Sequence, residues 1–335
     1  MSKERASVKD VAELAGVSVG TVSNVLNRPE SVTERTRQKV EAAMAELRFL
    51  RNASARQLRA GVSTTVGAVL ADLGNPFYTE IARGIEDRLA TDGHTLMLCS
   101  SDEDPEREAQ FLRQFAEHGV RGMLVTPMAS TEERLAELSD LGIPSVLIDA
   151  TSRTLPAVSV DHVSGGRQAI AHLLEQGHRR ILFLTADERL QQARHRLRGA
   201  VEAVVAAGLV PADVLRVTSL HLLNATGGEN AMLAALADEG PRPTAVFCIN
   251  DLVALGVLRA LRTHRLSVPR DVAIVGYDDL YWAGELATPL SSVRQPMRQL
   301  GWAAADLLLT HVEGAPNTLF EPELVIRASS DAPRG

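Results

Sequence analysis

The sequence predicts an α/β protein: an all-α headpiece of three short helices, then a body of doubly wound parallel sheets. Three observations predict it. Between Val8 and Leu47, apolar residues recur at helical spacing, broken by caps and turns. From about residue 62, strand-like apolar runs alternate with amphipathic helical segments, as in parallel sheets with helical crossovers. The chain has 335 residues, 45% apolar and 23% charged, ordinary for a globular protein and enough for two or three domains.

The headpiece comes first. In SVKDVAELAG, Ser7 predicts an N-cap and Gly16 a stop, with Val8, Val11, Ala12, Leu14 and Ala15 as the apolar stripe. Ser18 caps a second helix with Val22, Val25 and Leu26 inward. A third runs from about Thr33 to Leu47, with Val40, Ala43, Met44 and Leu47 inward. Gly16-Val17-Ser18-Val19-Gly20 also fits G-x-S-x-G, the setting of a hydrolase nucleophile. That chemistry needs a buried strand just before the serine, and the preceding residues are helical. The enzyme reading of Ser18 fails on context.

A helix–turn–helix fits the same residues, its second helix presenting N-terminal side chains to base edges in the major groove. Val19, Gly20 and Asn24 lie on the outward face. Thr21, Ser23 and Asn27 reach backbone oxygens, and Ser7, Ser18 and Thr36 complete the expected DNA-facing set. Val19 and Gly20 offer no side-chain hydrogen bond, so Asn24 is the polar candidate for base contact. Charge agrees: residues 1–60 hold eleven Lys+Arg against seven Asp+Glu, leaving 24 basic and 35 acidic residues for the rest of a chain with net charge −7. The alternative is a three-helix packing module with no DNA role.

VKDVAELAGVSVGTVSNVLN and TERTRQKVEAAMAELRFLRNASARQLRAG are followed by NPFYTEIARGIE, HLLEQGHRRILFL, CINDLVALGVLRAL, VAIVGYDD and LSSVRQPMRQLG. Together these ordered blocks resemble the lactose-repressor (LacI/GalR) family of bacterial regulators. The resemblance implies a DNA-binding domain at 1–51, a hinge helix at 52–61 and an effector-binding and dimerisation domain at 62–335. It also implies two lobes, 62–160 with 292–323 and 161–291 with 324–335, resembling periplasmic sugar-binding proteins. The residues themselves make RNASARQLRAG a helix of about two turns, too short to be stable alone in water. Asn52 would cap it. The resemblance implies that Asn52, Ala55 and Leu58 meet DNA, Leu58 as a minor-groove wedge; packing on the next domain is its alternative role. Positions 19, 20 and 24 depart from the larger or basic side chains of many relatives, so no relative's operator sequence carries over.

In the body, VGAVLADL, HTLMLCS, GMLVT, PSVLID, AVSVD, RILFLT, VLRVTSL, TAVFCIN and VAIVGYDD read as strands separated by helices, with SSVRQ and LFEPELVIR completing the sheets. Neither G-x-G-x-x-G nor a P-loop occurs, and the nine histidines make no H-E-x-x-H, so no cofactor and no metal site are expected. Polar residues close apolar runs at Asp72, Asp149, Asp161, Asn250, Asp251, Asp278 and Asp279. Ligands of open parallel sheets sit at those strand ends, and carboxylates and amides there suit a polyhydroxylated ligand; Asp251 and Asp279 are equally placed to cap helices. The resemblance implies an effector, a sugar or sugar derivative, held by Asp72, Phe77, Asp149, Asp161, Arg196, Asn250, Asp278 and Gln295. Phe77 could instead be core, and Arg196 a surface ion-pair partner.

The expectation is a non-enzymatic transcriptional repressor, a homodimer on a near-palindromic double-stranded DNA operator. MSKERASVKD lacks the apolar core of a signal peptide, no apolar run spans a bilayer, and Cys99 and Cys248 form no metal pattern. A cytoplasmic location, nucleoid-associated when on DNA and with no membrane partner, is expected. The rivals are an exported solute-binding protein and an enzyme on the α/β body, but no cluster pairs a nucleophile with a base.

Overall fold

The computed structural model describes residues 6–49, 63–128, 131–310, 314 and 316–331. It falls into two units, Met1–Ser63 and Thr64–Gly335. Asn52, Ala55 and Leu58 lie outside the described residues.

The first unit holds α1 (Val8–Ala15), α2 (Val19–Asn27) and α3 (Glu34–Glu46). Ser7 starts α1 with a reciprocal capping box: its backbone N–H donates to Asp10 at 2.6 Å while its hydroxyl accepts from the Asp10 N–H. Gly16 closes α1 at φ 65°, and Ser18 and Thr33 cap α2 and α3. Val11, Ala12, Val22, Val25, Val40 and Ala43 form the core, with Met44 and Leu47 packed on it. Leu14 does not join the stripe and is 46% exposed. In two turns, Val8, Val11, Ala12 and Ala15 already fill the inward face at i, i+3, i+4 and i+7, and Leu14 falls outside it.

The second unit has two six-stranded sheets. In chain order the strands are β1 (Thr65–Leu70), β2 (Thr95–Ser100), β3 (Met123–Val125), β4 (Ser145–Ile148), β5 (Ala157–Val160), β6 (Ile181–Thr185), β7 (Leu215–Ser219), β8 (Ala245–Cys248), β9 (Ala273–Asp278), β10 (Ser291–Arg294), β11 (Asn317–Phe320) and β12 (Glu323–Val325). The helices are α4 (Pro76–Thr91), α5 (Pro105–Glu117), α6 (Thr131–Asp140), α7 (His162–Glu175), α8 (Gln191–Ala206), α9 (Pro211–Val214), α10 (Ala225–Ala237), α11 (Asp251–Thr263) and α12 (Met297–Thr310). The sheets run β11-β5-β4-β3-β1-β2 and β12-β10-β9-β8-β6-β7. All pairings are parallel except β10 with β12. The chain changes sheet after Val160, after Arg294 and between Phe320 and Glu323. The lobe boundary expected at 291/292 is therefore corrected: β10 pairs with β9 and belongs to the second lobe, and α12 returns to the first.

Each sheet is buried on both faces. Val66, Ala68 and Leu70 of β1 meet α4 and α12, while Val69, Met123 and Val125 meet Leu112 and Phe115 of α5. In the second sheet, Leu182, Leu184 and Val246 meet α10 and α11, and Phe183, Phe247 and Tyr277 meet α7 and α8. Cys248 is packed among the first of these, with Cys99 partly buried on the other sheet.

Three of the helix pairs touch backbone to backbone through reciprocal glycines. A Cβ on Gly84 would lie 2.0 Å from the Arg298 carbonyl oxygen, and one on Gly301 2.0 Å from that of Ile81, at the crossing of α4 and α12. Gly166 and Gly199 do the same for α7 and α8, and Gly228 and Gly256 for α10 and α11, at 1.9–2.1 Å. Gly84→Ala must push two backbones apart and should lower stability by about 1–3 kcal/mol, the usual range for overpacking. Urea unfolding checks this; an unchanged midpoint would mean that the crossing yields without strain.

Candidate functional site

The site is built where strands end. β1 leads to Asp72, β4 to Asp149 and β8 to Asn250, and β9 ends on Asp278. The start of α4 supplies Phe77, and the first two turns of α8 supply Arg196. These six side chains line one cleft between the sheets, together with Asn75, Tyr78, Glu103, Thr126 and Gln192. Gln295 sits one layer behind, its Nε2 donating to Asp278 Oδ1 at 2.7 Å. Asp161 is not brought to the cleft. Its carboxylate caps α7 by accepting the Ser164 N–H at 2.9 Å, so the helix-start role wins there.

Arg196 is not a surface ion-pair residue. It is 4% exposed, its guanidinium carbon lies 3.6 Å from the centre of the Tyr277 ring, and Nη1 donates to the Ile249 carbonyl at 2.5 Å. His162, the first residue of α7, joins the two lobes: its Nε2 is 2.7 Å from Asp149 Oδ1, and its Nδ1 is 3.1 Å from the Tyr277 hydroxyl and 3.4 Å from Arg196 Nε. Burial lowers the His162 pKa, Arg196 lowers it further, and Asp149 opposes both. A neutral ring fixes the tautomer: Nε2–H donates to Asp149, and Nδ1 accepts from Tyr277 and Arg196.

Asp278 is 2% exposed and adopts φ 107°. Burial and then the Asp251 charge raise its pKa well above the ordinary carboxylate range, opposed by Arg196 and Gln295. Its Oδ2 has no hydrogen-bond partner among the described residues, nor has the Thr126 hydroxyl. Asn250, not Asp251, caps α11, accepting the Val253 N–H at 2.8 Å, and its amide donates to the Leu223 carbonyl at 2.9 Å. Asp251 is fully buried and tied to the Ser292 hydroxyl and the Leu280 N–H, with its pKa pushed up to about 7, chiefly by burial. Asp279 caps nothing; Arg294 and Arg327 hold it at 2.8 and 2.6 Å. The cleft therefore offers paired donors and acceptors over an aromatic wall, Phe77, which is 3% exposed and set edge-on to Tyr78. Such a set can grip adjacent hydroxyls.

The first unit carries the second candidate surface. Val19, 43% exposed, lies with Gly20 and Asn24 on the outer face of α2. The Ser18 and Thr21 hydroxyls are bonded to each other at 2.9 Å, Asn27 Nδ2 donates to the Ser23 carbonyl at 2.9 Å, and Thr36 is bonded to Thr33 at 2.9 Å. The first contact braces the start of α2, the second its last turn and the third the start of α3. Sequence reading missed His162, Tyr277, Thr126 and Glu103. His162 and Thr126 also follow strand ends, so the rule that found Asp149 applies to them; Tyr277 resembles any core aromatic.

Among the described residues no group of three or more His, Cys, Asp or Glu is placed to hold a metal, and no helix is long and apolar enough to cross a membrane. Residues 7–52 match the description "Bacterial regulatory proteins, lacI family", and residues 170–330 match "Periplasmic binding protein-like domain". The chain is 33% identical over 333 residues to the HTH-type transcriptional repressor PurR of Aliivibrio fischeri (strain ATCC 700601 / ES114), covering 97% of this chain and 98% of the relative. A crystal structure of the Lac repressor dimer bound to operator and the anti-inducer ONPF is similar at TM-score 0.84 and 29% identity, over 98% of this chain and all of that one. A LacI family transcriptional regulator from Enterococcus faecium with bound ribose has TM-score 0.74 and 27% identity, over 81% of this chain and all of that one.

His162→Gln should destabilise the protein at pH 7.5, because Arg196 and Tyr277 lose their shared acceptor. That deficit should shrink as the pH falls below 6.5, the ordinary histidine value. In the wild type the unfolded chain's imidazole binds a proton that the buried one refuses, so this residue's contribution is present above 6.5 and lost below it. Chemical denaturation across pH 5–7.5 reads the gap; one that stays constant would mean His162 is charged in the fold.

Proposed function

The chain belongs to the lacI family of bacterial regulatory proteins, and from that premise we propose a repressor whose operator affinity is set by a sugar bound between its lobes. The observation that carries the reading is the convergence of Asp149, Arg196, Asn250, Asp278 and Phe77 on one cleft in a chain that begins with a helix–turn–helix. Residues 1–51 read DNA, 52–61 form the hinge, and 62–335 bind effector and dimerise. Two copies place two headpieces on the halves of a near-palindromic operator. Asn24 contacts a base, Val19 and Gly20 allow close approach, and Ser7, Ser18, Thr21, Ser23, Asn27 and Thr36 position the backbone. Asn52, Ala55 and Leu58 act at the hinge, Leu58 wedging the minor groove. The chain works by binding, not catalysis, in the cytoplasm.

The cleft suits a sugar because its polar groups come as neighbouring donors and acceptors and one wall is aromatic. Closing the lobes on the ligand changes their relative angle, and by reciprocity operator binding changes sugar affinity by the same factor.

Two variants test the reading. Arg196→Ala should keep operator affinity in the absence of sugar and lose the response to it, measured by fluorescence anisotropy on labelled operator. Loss of DNA binding by a folded Arg196→Ala protein would remove Arg196 from the effector site. Leu58→Ala should weaken operator binding more than binding to random duplex; equal losses would contradict the wedge.

A further inference from the structure

The cleft is unbalanced in charge, and this deepens the sugar reading, on which the inference rests. Carboxyl groups of Asp72, Glu103, Asp149 and Asp278 line it against one guanidinium, that of Arg196, and burial raises the Asp278 pKa well above the ordinary range. Arg196 is committed to Tyr277, Ile249 and His162, and His162 is held neutral. Three helix starts are capped, whereas that of α8, whose Leu190 and Gln192 line the cleft, has no side-chain cap. Asn75, Asn224 and Asn250 turn their side-chain oxygens onto the first N–H groups of α4, α10 and α11 at 3.0, 3.0 and 2.8 Å. On the first-lobe wall, an anionic group would meet the like charge of Asp72 and Glu103.

The first-lobe wall goes further. Burial first, and then the nearby Asp72 charge, hold the Glu103 carboxyl above its ordinary range. Neither residue has an ion-pair partner among the described residues, and the arginine on that segment, Arg107, is paired with Asp102. At the end of neighbouring β3, the Thr126 hydroxyl is unpartnered on a residue 2% exposed, and across the cleft so is Asp278 Oδ2, also on a residue 2% exposed. Two carboxylates without a cation, beside a hydroxyl and a carboxyl oxygen without a partner, fit a polyhydroxylated ligand carrying positive charge.

We propose that the effector is a sugar bearing a protonated amine, its ammonium seated between Asp72 and Glu103 and its hydroxyls on Thr126, Asp278, Asn250 and Arg196. Asp72 and Glu103 disfavour sugar phosphates and sugar acids at that seat.

The test is calorimetric titration and thermal shift of the full chain with glucosamine, galactosamine and mannosamine, their parent hexoses, ribose, and the hexose 6-phosphates. The expected result is a hexosamine bound about tenfold or more tighter than its parent hexose, a factor typical of one added charge contact, with the phosphates inert. Asp72→Asn combined with Glu103→Gln should abolish the amine preference, bringing hexosamine and parent hexose to equal affinity. Glu103→Gln alone should reduce it, which keeps the test readable should the double variant unfold. A parent hexose or ribose bound as tightly as any hexosamine would overturn the amine assignment while leaving the sugar reading intact. A preferred phosphate would overturn the charge preference. No binding across the series would overturn the sugar reading and this inference with it.

Discussion

Where Arg196 stands depends on two glycines. Helices α7 and α8 cross with Gly166 against the Arg196 carbonyl and Gly199 against the Val163 carbonyl, at distances that leave no room for a methyl group. α7 begins with His162, and α8 carries Arg196 in its second turn. Only a backbone-to-backbone crossing brings those side chains within 3.4 Å of each other and lays the guanidinium on Tyr277. Next to the crossing, Gly165 faces the Tyr277 hydroxyl at the same close range. The second-lobe half of the cleft is thus a consequence of how closely two helices can pack.

The bonds that shape the site also join the lobes. Asp149 follows a first-lobe strand and His162 opens a second-lobe helix, and their 2.7 Å bond spans the cleft floor. Nearer the start of α8, Gln191 clasps the Thr151 backbone, accepting its N–H at 2.7 Å and donating to its carbonyl at 3.1 Å. At the opposite seam, Trp282 packs on the apolar cores of both lobes. A ligand that competes for Asp149 therefore also acts on a bond that sets the lobes' relative position. This gives the reciprocal coupling between effector and operator a physical starting point.

Most of the fold was legible in the sequence, because caps, strand ends and period changes are local signals. Ser7, Ser18 and Gly16 act as read, and each apolar run became a strand. Leu14 was misread because pattern alone does not say how many residues fill the inward face of a two-turn helix. The assignment of β10 was misread because strand pairing is a long-range property: SSVR lies far from any sequence mark showing that it pairs with β9. In the site, Asp149, Asn250 and Asp278 were legible as polar residues ending strands. Asp161 obeys the same pattern yet is used as a cap, and only the direction of its carboxylate distinguishes the two. The glycine crossings were invisible, since SGG and RLRG inside helices carry no sign of what crosses them.

The regulation proposed for this protein requires that a DNA-reading unit answer to this cleft. The most direct measurement is recovery of genomic DNA fragments on the purified full chain at moderate salt, with and without a pool of sugars. Footprinting of the best site and the same recovery with Arg196→Ala would accompany it. The expected result is enrichment of a compact near-palindrome, changed by the pool for the wild type and unchanged for the variant. No enrichment over random fragments under either condition, or an equal response of the variant to the pool, would contradict it.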